Sequence, residues 1–192
     1  MILAIASQKG GSGKTTTSLE ISAGVGLNNK KVLLIDLDFQ ANSSKVLIEN
    51  YLDLRPEDTT WNTIMKREPL AIHEGRFKNV WVAPAHILMS ETDLELTSAM
   101  DHREARLKTQ LMDVVDDFDH VIIDCPPALG WLTLNAFTAA DGLLVPVAPG
   151  YFELDSLTQI RKTLMKVQED FNPGIELTGL LFTMSDPTVA SK

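Results

Sequence analysis

The chain has 192 residues, and its 26 aspartates and glutamates outweigh 17 lysines and arginines to give a net charge of −9. With 44% hydrophobic and 22% charged residues it has the make-up of an ordinary globular domain. The acidic balance argues against a surface coated for nucleic acid, while leaving room for one local basic patch. A single cysteine, Cys125, excludes a disulfide framework and a thiolate-held metal cluster within one chain, and fits a reducing compartment.

In chain order, the apolar run Ile2 to Ala6 follows Met1 at once, so no signal peptide is expected. No apolar run approaches the roughly 20 residues of a membrane span, so a cytoplasmic protein is expected. Residues 9 to 16, Lys9-Gly10-Gly11-Ser12-Gly13-Lys14-Thr15-Thr16, form a glycine-rich loop, and a helix is predicted near 15–28. Val32-Leu33-Leu34-Ile35 reads as a strand buried on both faces. Residues 50–78, with Pro56 and Pro69, are the least regular stretch, and Val80 to Ala83 a short strand. A helix near 104–117 and a strand at Val121-Ile122-Ile123 follow. Then come a helix at 131–140, a strand at Gly142 to Val147, a helix at 153–170 stopped by Asn172-Pro173-Gly174, and a strand at Leu177 to Phe182. Apolar runs alternating with helical segments predict an α/β fold: three layers, a mostly parallel twisted sheet with helices on both faces. Neither repeats nor an internal linker break the chain, so residues 1–192 read as one domain.

The glycine loop lies between strand and helix, which is the context a phosphate-binding loop needs. Its glycines let N–H groups turn toward an anion, and the following helix aims its positive end at the same point. Lys14 is placed to reach the β- and γ-phosphates, and the Thr15 hydroxyl to hold Mg²⁺. The common pattern G-x-x-x-x-G-K-[ST] fails at its first glycine, where Gln8 stands. A second lysine, Lys9, precedes Lys14 by five residues, and two lysines on one tight loop can hardly approach the same phosphates from one side.

Nucleotide hydrolysis also needs carboxylates at the strand ends beside the loop. Asp36 and Asp38 follow the strand at 32–35, in Asp36-Leu37-Asp38-Phe39-Gln40-Ala41-Asn42. Asp124 closes the strand at 121–123, before Cys125-Pro126-Pro127, and reads as a Mg²⁺-site carboxylate acting through a bound water.

The loop at 9–16, the D-x-D-x-Q-x-N segment at 36–42 and the D-C-P-P segment at 124–127 resemble the deviant-Walker ParA/MinD ATPases, and within them the ParA/Soj partition branch. Leu132 to Ala136, Ala139 to Gly142 and Leu144 to Val147 agree, so the resemblance covers nearly the whole chain. It implies a P-loop NTPase that binds ATP and Mg²⁺ along Lys9 to Thr16, with Thr15, Asp36 and Asp124 near the metal. Lys9, Lys14, Asp36 and Asp38 would be the catalytic set. By the resemblance, Asp38 orients the attacking water, Asp36 assists near the metal, and Gln40 and Asn42 sense the γ-phosphate. Lys9 reaches the partner's nucleotide across an ATP-dependent homodimer. Non-specific DNA binding on the nucleoid and slow hydrolysis stimulated by a ParB-like adaptor are also implied, with a plasmid, chromosome or protein compartment as cargo.

Three departures stand out. Phe39 replaces the family's usual proline, which would change the flexibility of the segment without removing a catalytic group. Ala148-Pro149-Gly150-Tyr151 replaces the usual stretch before a tyrosine. The family's closing helix, strand and helix have no counterpart after Met184, so the chain is either a fragment or a shortened member, and adenine contacts would begin at Met184, Ser185 and Asp186.

Other readings remain beside this one. A MinD-like regulator acting on membrane would need a C-terminal amphipathic helix, absent here although truncation would hide it. A nucleotide-gated scaffold would bind ATP without turnover. No N-K-x-D motif points to GTP. His73, His86, His102 and His120 lack ligand spacing and are expected in surface or capping roles. Trp61, Trp81 and Trp131 are expected to pack in the core, and Cys125 to be buried and inert. Arg103, Arg106 and Lys108, or Arg161, Lys162 and Lys166, form either a DNA patch or a solvated helix face.

Overall fold

Strand β1 (Ile2–Ile5) runs into the glycine loop, and helix α1 (Lys14–Leu27) leaves it. The computed structural model describes residues 1–149 and 153–184. The unbroken apolar run after α1 becomes β2 (Val32–Asp36), buried at every residue, as expected for a strand covered on both faces. There follow α2 (Asn42–Leu47), α3 (Thr60–Lys66), β3 (His73–Glu74), β4 (Val80–Ala83), α4 (Thr92–Ser98) and α5 (Arg106–Leu111). The chain continues through β5 (His120–Asp124), α6 (Trp131–Ala139), β6 (Gly142–Val147), α7 (Glu153–Asp170) and β7 (Glu176–Phe182).

Among the described residues these strands form one seven-stranded sheet in the order β3-β4-β2-β5-β1-β6-β7. All pairings are parallel except that of β3 with β4. Side chains alternate across the sheet. Leu33 and Ile35 join Val121 and Ile123 in a layer with Leu132 and Phe137 of α6 and Ile160 and Leu164 of α7. Val32 and Leu34 join Leu3 and Ile5 in the opposite layer, against Leu19, Ile21 and Val25 of α1. The expected three layers are therefore present. The order places β1 between β5 and β6, so the loop leaving β1 opens beside the carboxyl ends of its neighbours.

The helix expected near 104–117 is broken. Only Arg106–Leu111 is α-helical, and Val115–Asp117 forms a separate 3₁₀ turn. The β-branched and acidic run Val114-Val115-Asp116-Asp117 is poor helix material. The start of α5 is instead held by Asn135, whose Oδ1 accepts from Leu107 N at 3.0 Å. The irregular stretch at 50–78 contains α3 and β3, and α2 and α4 also lie where no element was expected. No helix among the described residues is long and apolar enough to cross a membrane.

The candidate nucleotide site

The loop is shaped by two left-handed residues that only glycine adopts without strain, Gly11 at φ 74° and Gly13 at φ 90°. Gly13 is the N-cap of α1, no side chain caps the helix, and its first turn holds no acidic residue. The leading N–H groups and the positive helix end are thus left to face an anion. Ser12 is fully buried, and its Oγ accepts from Ser7 Oγ at 2.6 Å. Its carbonyl accepts from Thr183 Oγ1 at 2.8 Å, which ties the loop to the end of β7. Gly10 lies exposed on the loop, and in the first turn of α1 Thr15 is half-buried and Thr16 exposed.

The two lysines separate. Lys14 is buried, and its Nζ donates to the Lys9 carbonyl at 3.2 Å, folding the side chain back over the loop. Burial lowers its pKa, and the carboxylates of Asp124 and Asp38 oppose that shift. The Lys9 residue is exposed.

Strand register brings the carboxylates together. Asp36 and Asp124 are paired positions on β2 and β5, and Asp124 is also level with Ile5, the last residue of β1. Both aspartates are buried. Asp36 Oδ1 accepts from Asp38 N at 3.0 Å, and Oδ2 accepts from Ser44 N at 3.0 Å and Ser44 Oγ at 2.7 Å. Asp124 Oδ2 accepts from Ser43 Oγ at 2.5 Å, whereas its Oδ1 is buried with no hydrogen-bond partner. Burial, and secondarily the Asp124 charge, push the Asp36 carboxyl up to about 8. Burial also raises Asp124, against the opposing effect of the Ser43, Thr15 and Ser18 hydroxyls.

Two adjacent buried carboxyls, one with an orphaned oxygen, are costly without a cation. The unpartnered Asp124 Oδ1 and the nearby Thr15 hydroxyl are oxygen donors of the kind a hard divalent ion takes, whereas both Asp36 oxygens already accept hydrogen bonds. Among the described residues no three His, Cys, Asp or Glu side chains converge as a metal cage.

Asp38 is nearly buried, and its Oδ1 accepts from Gln40 N at 3.0 Å. Ala41 follows in a left-handed conformation at φ 52° although fully buried, which turns the chain into α2. Ser43 and Ser44 were not singled out in the sequence, although a serine pair directly after D-x-D-x-Q-x-N is a helix-start signal. Thr183 lies 171 residues from Ser12 and carries no such signal.

Other expected positions resolve differently. Arg103 and Arg106 are neither a solvated face nor a basic patch. The Arg103 guanidinium stacks 3.8 Å from the Trp131 ring and donates to the Leu96 and Thr97 carbonyls. The Arg106 side chain is 9% exposed, donating to the Ile64 carbonyl and to Asp101. Arg161, Lys162 and Lys166 are exposed on α7. Cys125 is buried and its thiol pKa is pushed up by burial, as an inert residue requires. Trp61, Trp81 and Trp131 all pack against the core, and His86 Nδ1 caps a 3₁₀ turn by accepting from Leu88 N. Met184 is exposed, while Gly150, Tyr151, Ser185 and Asp186 lie outside the described residues.

A glycine loop between β1 and α1, answered by aspartates at the ends of two neighbouring parallel strands, defines a P-loop nucleotide-binding protein. A family model described as an AAA domain matches residues 1–177. The sporulation initiation inhibitor protein Soj of Bacillus subtilis (strain 168) is 38% identical over 187 residues, 96% of this chain and 73% of its own. The chromosome partitioning protein ParA of Myxococcus xanthus (strain DK1622) is 34% identical over 190 residues, 96% of this chain and 65% of its own. A cobyrinic acid a,c-diamide synthase from Mycobacterium smegmatis, solved with an ATP analogue and magnesium, superposes with a TM-score of 0.86 at 34% identity, over 97% of this chain and 75% of that one. The chain belongs to the ParA/MinD-type partition ATPase family. It spans 73% and 65% of the lengths of these two relatives.

Proposed function

We propose that this chain is a ParA-type ATPase whose site is completed when two copies meet around ATP and Mg²⁺. One observation carries the reading. Lys14 is buried under the influence of Asp124 and Asp38, while Lys9, on the same loop, is exposed and contributes its carbonyl to Lys14. The chromosome partitioning protein among the relatives and the ATP analogue and magnesium bound by the synthase support it.

In this reading the N–H groups from Gly10 to Thr16 cradle the phosphates, and Lys14 neutralises charge on the β- and γ-phosphates. Thr15 and Asp124 would hold Mg²⁺, which when bound offsets charge developing on the phosphates. Asp36, with both oxygens engaged by Asp38 and Ser44, acts beside the metal by fixing the segment that carries Asp38. Asp38 orients the attacking water. Lys9 serves the partner's nucleotide, so hydrolysis is slow until dimerisation and an adaptor of the ParB type complete the site. The dimer would bind DNA non-specifically through a local basic patch, on the nucleoid in the cytoplasm, to position a cargo. The exposed Arg161, Lys162 and Lys166 on α7 suit that patch.

The test is dimerisation and phosphate release by wild type and Asp38→Ala. The reading expects Asp38→Ala to dimerise with ATP and to release no phosphate. A wild type that dimerises with ATP and never releases phosphate would make the protein a nucleotide-gated scaffold instead.

A further inference from the structure

The first turn of α2 performs a task that neither the loop nor the aspartates explain. Two consecutive hydroxyls reach two carboxyls on adjacent strands: Ser43 Oγ to Asp124 Oδ2 at 2.5 Å, and Ser44 Oγ to Asp36 Oδ2 at 2.7 Å. Ser44 Oγ also accepts from Ala85 N at 2.9 Å, just past β4. One helical turn therefore fastens the carboxyl ends of β5, β2 and β4. The Asp38–Asn42 segment is pinned at both of its ends, through Asp38 N on Asp36 and through Ser43 on Asp124. Both serines and Ala41 are fully buried.

The consequence falls on Asp124. Three of the four oxygens of the Asp36–Asp124 pair have hydrogen-bond donors, and Asp124 Oδ1 has none. Ser43 supplies the one hydrogen bond that meets Asp124 at Oδ2, while the Thr15 and Ser18 hydroxyls lie close enough to favour the charged carboxylate, so Ser43 biases the direction in which Oδ1 is offered. This is the relation that ligand-orienting partners have to metal ligands. We propose that Ser43 is a positioning residue for Mg²⁺, holding Asp124 by Oδ2 so that Oδ1 is presented to the ion, and thereby joining metal occupancy to the placement of Asp38. This rests on the reading of Asp124 as a metal-side ligand.

Removing the Ser43 hydroxyl takes away the hydrogen bond that orients Asp124, leaves only the nearby Thr15 and Ser18 hydroxyls beside it, and changes no residue of the phosphate loop. Nucleotide affinity without metal therefore stays as it was, and the Mg²⁺-dependent part weakens. The Mg²⁺ concentration for half-maximal effect should rise by about 10-fold or more, the usual cost of losing such a partner.

The experiment titrates Mg²⁺ against binding of a fluorescent ATP analogue to wild type, Ser43→Ala, Ser43→Thr and Asp124→Ala, with a thermal unfolding curve for each. Ser43→Cys, close in size and a weak donor, serves if the alanine variant does not fold. The expected result is a raised Mg²⁺ midpoint in Ser43→Ala (or Ser43→Cys), unchanged metal-free affinity, and recovery in Ser43→Thr. The proposal is overturned if Ser43→Ala and Ser43→Cys titrate like wild type. It is equally overturned if they lose metal-free affinity together with thermal stability, which would mark a structural hydroxyl. If Asp124→Ala keeps the wild-type response to Mg²⁺, the metal-side reading of Asp124 itself fails, and the proposal with it.

Discussion

Thr183, the first residue after β7, donates its hydroxyl to the carbonyl of Ser12 in the phosphate loop at 2.8 Å, across 171 residues of sequence. Its backbone N donates to the Val147 carbonyl at 2.9 Å, so the bond is anchored in the sheet. Thr183→Val keeps the shape and removes the hydroxyl. A lost hydrogen bond of this kind costs about 0.5–1.5 kcal/mol, so ATP affinity should fall by up to about tenfold. Calorimetric titration with ATP checks it, and unchanged affinity would show that the loop is shaped without β7.

Gly13 stands against the same residue. At φ 90° any side chain is strained, and a Cβ there would lie 3.3 Å from Thr183 Cγ2. Gly13→Ala should therefore lose nucleotide binding and some stability, about 1–2 kcal/mol from the left-handed conformation alone. Binding of the fluorescent ATP analogue, with a denaturant curve alongside, measures both.

The buried Asp36 carboxyl makes stability depend on pH. Its folded-state pKa is raised from 3.8 to about 8, so the folded chain holds a proton that the unfolded chain has lost across that window. Where the native state binds more protons, stability falls as pH rises. In metal-free buffer the unfolding midpoint should thus decline from about pH 4 toward pH 8, with Asp36→Asn flattening the decline. A wild-type midpoint that rises over that range would refute the assignment.

Arg106 and the basic residues of α7 should part company in a DNA-binding assay. Arg106→Ala should destabilise the fold, because its guanidinium is 9% exposed and holds the Ile64 carbonyl and Asp101. The variant Lys162→Ala should leave stability alone, weaken ATP-dependent DNA binding and reduce its salt slope by about 1. Filter binding of wild type, Lys162→Ala and Lys9→Ala across a salt series measures it. Binding that ignores ATP would count against the partition reading.

Most of the sheet could be read from the sequence because each central strand is an unbroken apolar run between polar turns. The loop and Asp124 were legible for the same reason: strand ends fix their place. What escaped was decided by distant contacts. α5 stops at Leu111 and takes its start from Asn135 on α6, and no local pattern announces that. The cluster Arg103, Arg106 and Lys108 looked like a charged face, yet the partners that bury its arginines, Trp131 and Ile64, come from elsewhere in the chain. Ser43 and Ser44 were not singled out, and no helix was expected where they lie. Their grip on Asp124 and Asp36 depends on the left-handed turn at Ala41, which the sequence does not show.

The central claim is that Lys9 acts on the partner's nucleotide while Asp38 acts on its own. Mixing Lys9→Ala with Asp38→Ala, each inactive alone, tests it most directly. In a mixed dimer the Lys9→Ala chain keeps its own Asp38 and receives Lys9 from its partner, which completes one of two sites. Phosphate release should recover to about a quarter of the wild-type rate, since random pairing makes half of the dimers mixed. No recovery on mixing, or full release by Lys9→Ala alone, would contradict the account.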